Sequence, residues 1–185
     1  MKLDPDQPEL ALDRRDGLPD ALRVLAEAYP RANWEAHENF GEMIRFWMER
    51  HAMFRQLTDL LQEDARALAD NKVGFETYAP RLSQYGGMLL NQLHGHHQIE
   101  DHHYFPRLIT LDNRLERGFE LLEADHEAMD GLLHGMAEGA NAVLQGGQVG
   151  PFIERLDSFT TLLNRHLTDE EEIVVPVVLE TGFQG

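Results

Sequence analysis

The chain contains two short stretches that repeat one another and carry metal-ligand chemistry: His96, Glu100 and Pro106 in HGHHQIEDHHYFP, and His166, Glu170 and Pro176 in HLTDEEEIVVP. A His and a carboxylate four residues apart on a helix are offset by one turn and about 40°, so both side chains reach the same point beside the helix. About 40 residues upstream of each pair stands a helical segment with a central His, ERHAMFRQLTDLL around His51 and EADHEAMDGLLHGM around His126. The pattern is two copies of one half-site, a lone His followed by His-x-x-x-Glu. Four imidazoles and two carboxylates suit two borderline divalent cations, with the carboxylates bridging and positions left open for a small molecule; iron fits best, manganese or zinc less well.

Such a set needs elements that bring it together, and the chain reads as helices throughout. Residues 1–17 are polar with two prolines, and DALRVLAEAY predicts a short amphipathic helix stopped at Pro30. Residues 1–38 therefore form an N-terminal extension. A first long helix begins at Asn39, which with Glu42 has the form of a capping box, carries Met43, Phe46, Trp47, Phe54, Leu57 and Leu61 at helical spacing, and ends near Ala69. The second starts around Pro80 and runs through Leu89, Leu90 and Leu93 until Pro106 disturbs it. The third spans Asn113 to Gln145, with Leu115, Phe119, Leu122, Met129, Leu132 and Leu133 inward, and the fourth runs from Pro151 to about Leu179. Four long helices with short connections predict an all-α, up-down-up-down four-helix bundle over residues 39–181, an architecture that builds metal sites from facing helices. His51, His96, Glu100, His126, His166 and Glu170 come from all four helices and lie in register with inward apolar neighbours.

Composition narrows the classes. The chain has 185 residues, 42% of them hydrophobic and none of them Cys, which excludes disulfides, thiolate metal sites and thiol catalysis. No apolar run approaches a membrane span and no secretory signal is evident, so the expected address is cytoplasmic with no membrane partner. Thirty-three acidic against sixteen basic residues give a formal charge of −17, which disfavours nucleic acid as a partner. Carboxylates gathered inside a fold repel unless a cation or proton sits among them, and a metal would resolve that cost. The chain lacks a P-loop, a dinucleotide fingerprint and a zincin motif. Glu100-x-x-His103 and Glu123-x-x-His126 match the Glu-x-x-His of ferritin-like bundles, but there the motif falls on the second and fourth helices, and here Leu163 precedes His166.

From about residue 39 to 180 the chain resembles the hemerythrin-like proteins with the HHE cation-binding domain, on the strength of RHAMFR, HHQIEDHHYFP, ADHEAM and HLTDEEEIVVP. The resemblance implies a non-heme di-iron centre, oxo- or hydroxo- and carboxylate-bridged, with His51, His96, His126 and His166 as terminal ligands and Glu100 and Glu170 as bridges. It further implies binding or sensing of dioxygen, peroxide or nitric oxide, or handling of iron. Oxygen-carrying relatives have a five-His site with His-x-x-x-His on the third helix; here the residue four after His126 is Asp130. That departure argues against reversible oxygen carriage and leaves water, Asp130 or Glu123 to complete one metal.

The remaining histidines are read as follows. His97, with Asp101 at i+4, is rotated ~100° from His96 and matches Leu167 of the fourth helix, so it is expected beside the site or at the surface. His103, seven after His96, shares its face ~10 Å further on and is expected to pack without ligating. His37 precedes the helix; His94, His102 and His134 are expected in solvent. Trp47 is expected to wall the pocket, with Phe54, Met129 and Leu133 as apolar lining. Two function classes remain: a module that binds or senses a small oxidant, which this reading favours, and an oxidase, peroxidase or ferroxidase. A redox-silent zinc bundle is a third. Oligomeric state is not legible.

Overall fold

The computed structural model describes residues 7–185; the part of the extension expectation that concerns residues 1–6 lies outside them. The described residues are helical without strands. Three uninterrupted helices match their expected spans closely: α1 (Glu42–Ala69), the helix over Glu116–Leu144, and the last helix, which ends at Thr181 on Gly182 in the left-handed conformation (φ 67°) that glycine tolerates. After α1 the chain forms α2 (Phe75–Arg81), α3 (Gly87–Ile99), α4 (Phe105–Leu111), α5 (Glu116–Leu144) and then that last helix, α6 (Gly150–Thr181). α6 packs along both α1 and α5, and α3 packs against α1 and α5.

Stretch α2–α4 is one helical path widened twice, by π turns at Leu82–Gly86 and Glu100–Tyr104. The path starts before Pro80 instead of at it. The carbonyl that Pro80 deprives of a partner is that of Glu76, in the exposed first turn where water can pair it. Pro106 does not end the path either, because the wide turn just before it, closed by the Phe105 amide on the Glu100 carbonyl, relaxes the backbone on the side that Pro106 crowds.

Three local expectations are corrected. α1 begins on Gly41 rather than Asn39, whose side-chain amide donates to the Leu179 carbonyl at 2.7 Å and so ties the entry of α1 to the end of α6. DALRVLAEAY forms only a 3₁₀ turn at Asp20–Leu22 and further turns, since a helix so short is marginal alone and packing decides. Leu18, Leu22 and Leu25 are instead buried against the bundle, as are Leu10, Leu12 and Trp34, which makes the extension a strap. Phe46, expected inward, is 63% exposed.

The apolar core divides into two clusters, one holding Ile44, Trp47, Phe105, Phe119 and Val174 with most strap residues, the other holding Phe54, Leu61, Leu93, Met129 and Phe159. The buried histidines and carboxylates lie in the middle of the helices, between these clusters. No helix among the described residues is long and apolar enough to cross a membrane.

Candidate metal centre

Two groups of ligand-capable side chains converge. In the first, α1 supplies His51, α3 supplies His96, the first residue of the π turn is Glu100, and α6 supplies Glu170; their donor atoms lie within 4.8 Å of one another. In the second, His97 of α3, His126 of α5 and His166 of α6 meet the same limit. The two groups touch. Glu100 places one oxygen 2.9 Å from His96 Nε2 and the other 3.6 Å from His126 Nε2, and Glu170 Oε2 lies 3.6 Å from His51 Nε2 and 3.5 Å from His166 Nε2. Each glutamate therefore spans both groups, as a bridging carboxylate must.

The structure brings together all six residues singled out by spacing and adds a seventh. His97 was expected beside the site or at the surface; its side chain is 1% exposed, its ring stacks on His126 at 4.0 Å, and it faces His166 edge-on at 5.2 Å. The correction has a geometric cause. α3 packs between α1 and α5, so two side chains 100° apart both reach the interior, His96 toward His51 and His97 toward His126. A signal was present, since His97 is four residues past Leu93 and eight past Leu89, both buried, and the matching Leu167 is itself fully buried. Of the alternatives for completing a metal, Glu123 and His103 are exposed, and Asp130 faces outward, 3.3 Å from His94 Nδ1. His103 is turned out of the site because the widened turn shifts the register of everything after Glu100. His94, His102 and His134 are exposed as expected, and His37 accepts from the Asn39 amide.

A second layer of carboxylates orients the imidazoles, and spacing alone gave no sign of it. His51 Nδ1 donates to Glu171 at 2.9 Å, His126 Nδ1 to Asp101 at 2.6 Å and His166 Nδ1 to Asp125 at 3.2 Å. An ionised carboxylate only accepts, so each ring carries its proton on Nδ1 and turns the Nε2 lone pair inward, the arrangement that fixes metal-binding histidines. Asp101 therefore serves His126 and not its sequence neighbour His97. Burial would raise Glu171, but hydrogen bonds from His51 and Arg55 outweigh it and hold the group down to about 2. Burial likewise opposes ionisation of Asp125, and bonds from Arg15 and His166 prevail. Trp47 Nε1 donates to Glu170 Oε1 at 2.7 Å, so the expected pocket wall is also a hydrogen-bond partner.

The interior charge state follows from desolvation. Burial lowers His96 to about 3 and His166 to about 4, and pushes His97 well below its ordinary range, assisted by the neighbouring imidazoles. Burial pushes Glu100 and Glu170 well above theirs, with mutual repulsion adding to Glu170. Buried polar atoms are paired in nearly all proteins. Here His97 Nδ1 and Nε2, His126 Nε2, His166 Nε2, both Glu100 oxygens and Glu170 Oε2 have no hydrogen-bond partner. Seven orphaned donor atoms in one place, all of them nitrogen or carboxylate oxygen, fit metal cations of borderline character.

One face is open to solvent. A cleft of about 280 Å³ between α1 and α3 runs from Met43, Phe46, Arg50 and Ile99 at its mouth down to Trp47, Tyr104, His96 and Glu100. It reaches the first group, and its lining includes neither His97, His126 nor His166.

Together these features define an all-helical protein with a buried, carboxylate-supported histidine and glutamate centre for cations. The chain belongs to the hemerythrin HHE cation-binding domain family, whose domain matches residues 42–178 and thus takes in both groups and leaves out the strap. No curated protein and no solved structure matches the chain significantly.

Proposed function

We propose that the protein holds two iron ions, one in the His51, His96, Glu100 and Glu170 group and one in the His97, His126 and His166 group, with both glutamates shared, and that it binds or senses a small oxidant such as dioxygen, peroxide or nitric oxide. The observation that carries this reading is the convergence of orphaned, buried nitrogen and oxygen atoms on two adjacent points. Such atoms are costly to bury unless a cation pairs them. Bound iron would supply a redox-active, Lewis-acidic centre.

The chain's own residues set the asymmetry. Three imidazoles and two shared carboxylates serve the second group, whereas two imidazoles and the same carboxylates serve the first. A metal in the first group would therefore be the one left with an open coordination position, and the first group is also the one the cleft reaches. Phe46 and Ile99 give the mouth an apolar side and Arg50 a cationic one, and Trp47 both walls the floor and holds Glu170. His97 restores a five-imidazole set despite Asp130. This reading includes an up-down-up-down arrangement of the four helical stretches, supported by the contacts of α6 with α1 and α5, and a cytoplasmic setting.

The test is elemental analysis together with the absorption spectrum of anaerobically reduced protein before and after oxygen. Two irons per chain with new charge-transfer bands that vanish when the gas is removed are the expected result. Bands that persist, with turnover of a reductant, would assign an oxidase or peroxidase instead. Zinc alone would end the oxygen reading.

A further inference from the structure

The strap reaches the buried layer beneath the imidazoles at two places. Arg15, 7% exposed, donates through both terminal nitrogens to Asp125, which holds His166, and through Nε to Asp169 at 2.9 Å. Arg31 donates to Glu171, which holds His51, at 2.5 Å. The two contacts are parallel: strap arginine, buried carboxylate, terminal imidazole, once for each metal group. Asp101, the support of His126, receives no strap arginine. Each arginine is itself fixed by the strap, Arg15 by donating to the Leu10 carbonyl and Arg31 by lying over the Trp34 ring at 4.5 Å.

The strap is also the part of the fold that can yield. Its backbone hydrogen bonds are local turns with no α-helix among the described residues, and a recess of about 420 Å³ open to solvent lies between residues 7–13 and α5. Segments whose backbone hydrogen bonds are only local turns open at lower free energy than the helices they cover.

We propose that Arg15 and Arg31 are positioning residues through which occupancy of the metal centre controls docking of the strap. A cation on His51 or His166 fixes the ring, the ring fixes Glu171 or Asp125, and the fixed carboxylate presents a rigid acceptor to the strap arginine. Coupling of this kind is reciprocal, so docking the strap must tighten metal binding by the same factor. The strap thereby becomes the surface at which the state of a buried centre is read from outside. This inference rests on the metal-binding reading above.

The experiment compares full-length protein, metal-free and loaded with Fe(II) under anaerobic conditions, with metal content measured on the same samples, by hydrogen exchange over residues 7–36. Loading should slow exchange of the strap by about tenfold or more, and Arg31→Gln should weaken metal affinity in a chelator competition by about tenfold, the lower end of what losing a supporting partner costs, with Arg31→Lys restoring part of it. Arg31 is chosen because its side chain is 48% exposed, so its loss spares the fold. Loaded protein whose ligand-bearing helices are protected while the strap exchanges as in the metal-free form would overturn the coupling and leave the metal centre standing. An Arg31→Gln protein that melts lower with unchanged metal affinity would reduce the contact to a structural one and likewise overturn it. Failure to take up metal would overturn both readings.

Discussion

Replacing His97 by Leu should move two measurements in opposite directions. The imidazole is 1% exposed and neither of its nitrogens has a hydrogen-bond partner. A buried polar group left unsatisfied costs about 1–3 kcal/mol. Leucine is of similar volume, and the corresponding place in α6 is filled by Leu167 with no exposure at all, so the substitution removes the polar burden without opening a cavity. Against that gain stands the stack on His126 at 4.0 Å, an arrangement worth about 0.5–1.5 kcal/mol. With the middle of each range the metal-free variant should therefore be more stable by about 1 kcal/mol, a rise of roughly 2–4 °C in Tm for a chain of this size. The loaded protein should behave in the reverse sense. With His97 gone the second group keeps only His126 and His166 of its imidazoles, and metal content should fall from two ions per chain to one. Thermal unfolding of the metal-free forms and elemental analysis of the reconstituted forms decide it. A variant that is destabilised without metal yet still takes up two ions would show that His97 is a packing residue, and would refute the argument that orphaned nitrogens mark ligands.

Three further outcomes are expected. Metal uptake should release protons from Glu100 and Glu170, which burial holds above the ordinary carboxylate range, and none from His96, His97 or His166, which burial keeps neutral; calorimetry at pH 6 in buffers of different ionisation enthalpy measures the number. Glu171 is held down to about 2 from 4.5, so the unfolded chain binds the extra proton between those values, and the stability this group contributes is present above 4.5 and lost as the pH falls toward 2; Glu171→Gln should flatten that part of the acid unfolding profile of metal-free protein. Asp130→Ala should leave metal content unchanged by elemental analysis, because the carboxylate faces outward toward His94.

How much was legible follows from what kind of information each feature carries. The half-site spacing was readable because a ligand pair on one helix is a local property, fixed by 3.6 residues per turn. Helix ends were readable where a cap or Gly acts locally, as at Gly182, and misread at Asn39, whose amide is claimed by a carbonyl 140 residues away. The membership of His97 depends on how α3 is rotated between two neighbours, a tertiary quantity, although the buried series Leu89, Leu93, His97 carried it in part. The supporting carboxylates Asp101, Asp125 and Glu171 were invisible because each serves an imidazole on another helix. Arg15 is the extreme case, a cation in a polar segment with no periodicity, 110 residues from the aspartate it holds. The π turn at Glu100–Tyr104 was also beyond pattern reading, since no residue type specifies it, yet it decides that His103 leaves the site.

The duplication in the sequence makes two equivalent half-sites the natural expectation, and the fold breaks that equivalence at three separate levels. His97 gives the second group an imidazole that the first has no counterpart for, because its match in α6 is Leu167. The cleft reaches His96 and Glu100 and stops there. The supports differ too: Asp125 and Glu171 carry strap arginines, while Asp101 stands partly exposed with a side chain 25% accessible. These asymmetries are mutually consistent. On the proposed reading, a richly liganded, enclosed metal would need no approach path, and a metal with fewer imidazoles beside the cleft would be the one to meet a small molecule. A centre built this way has one position suited to exchange with solvent and one suited to staying put. On the proposed two-iron reading the chain would keep its metals while what is bound beside them changes, and the strap arginines lie where that change would first be felt outside the core.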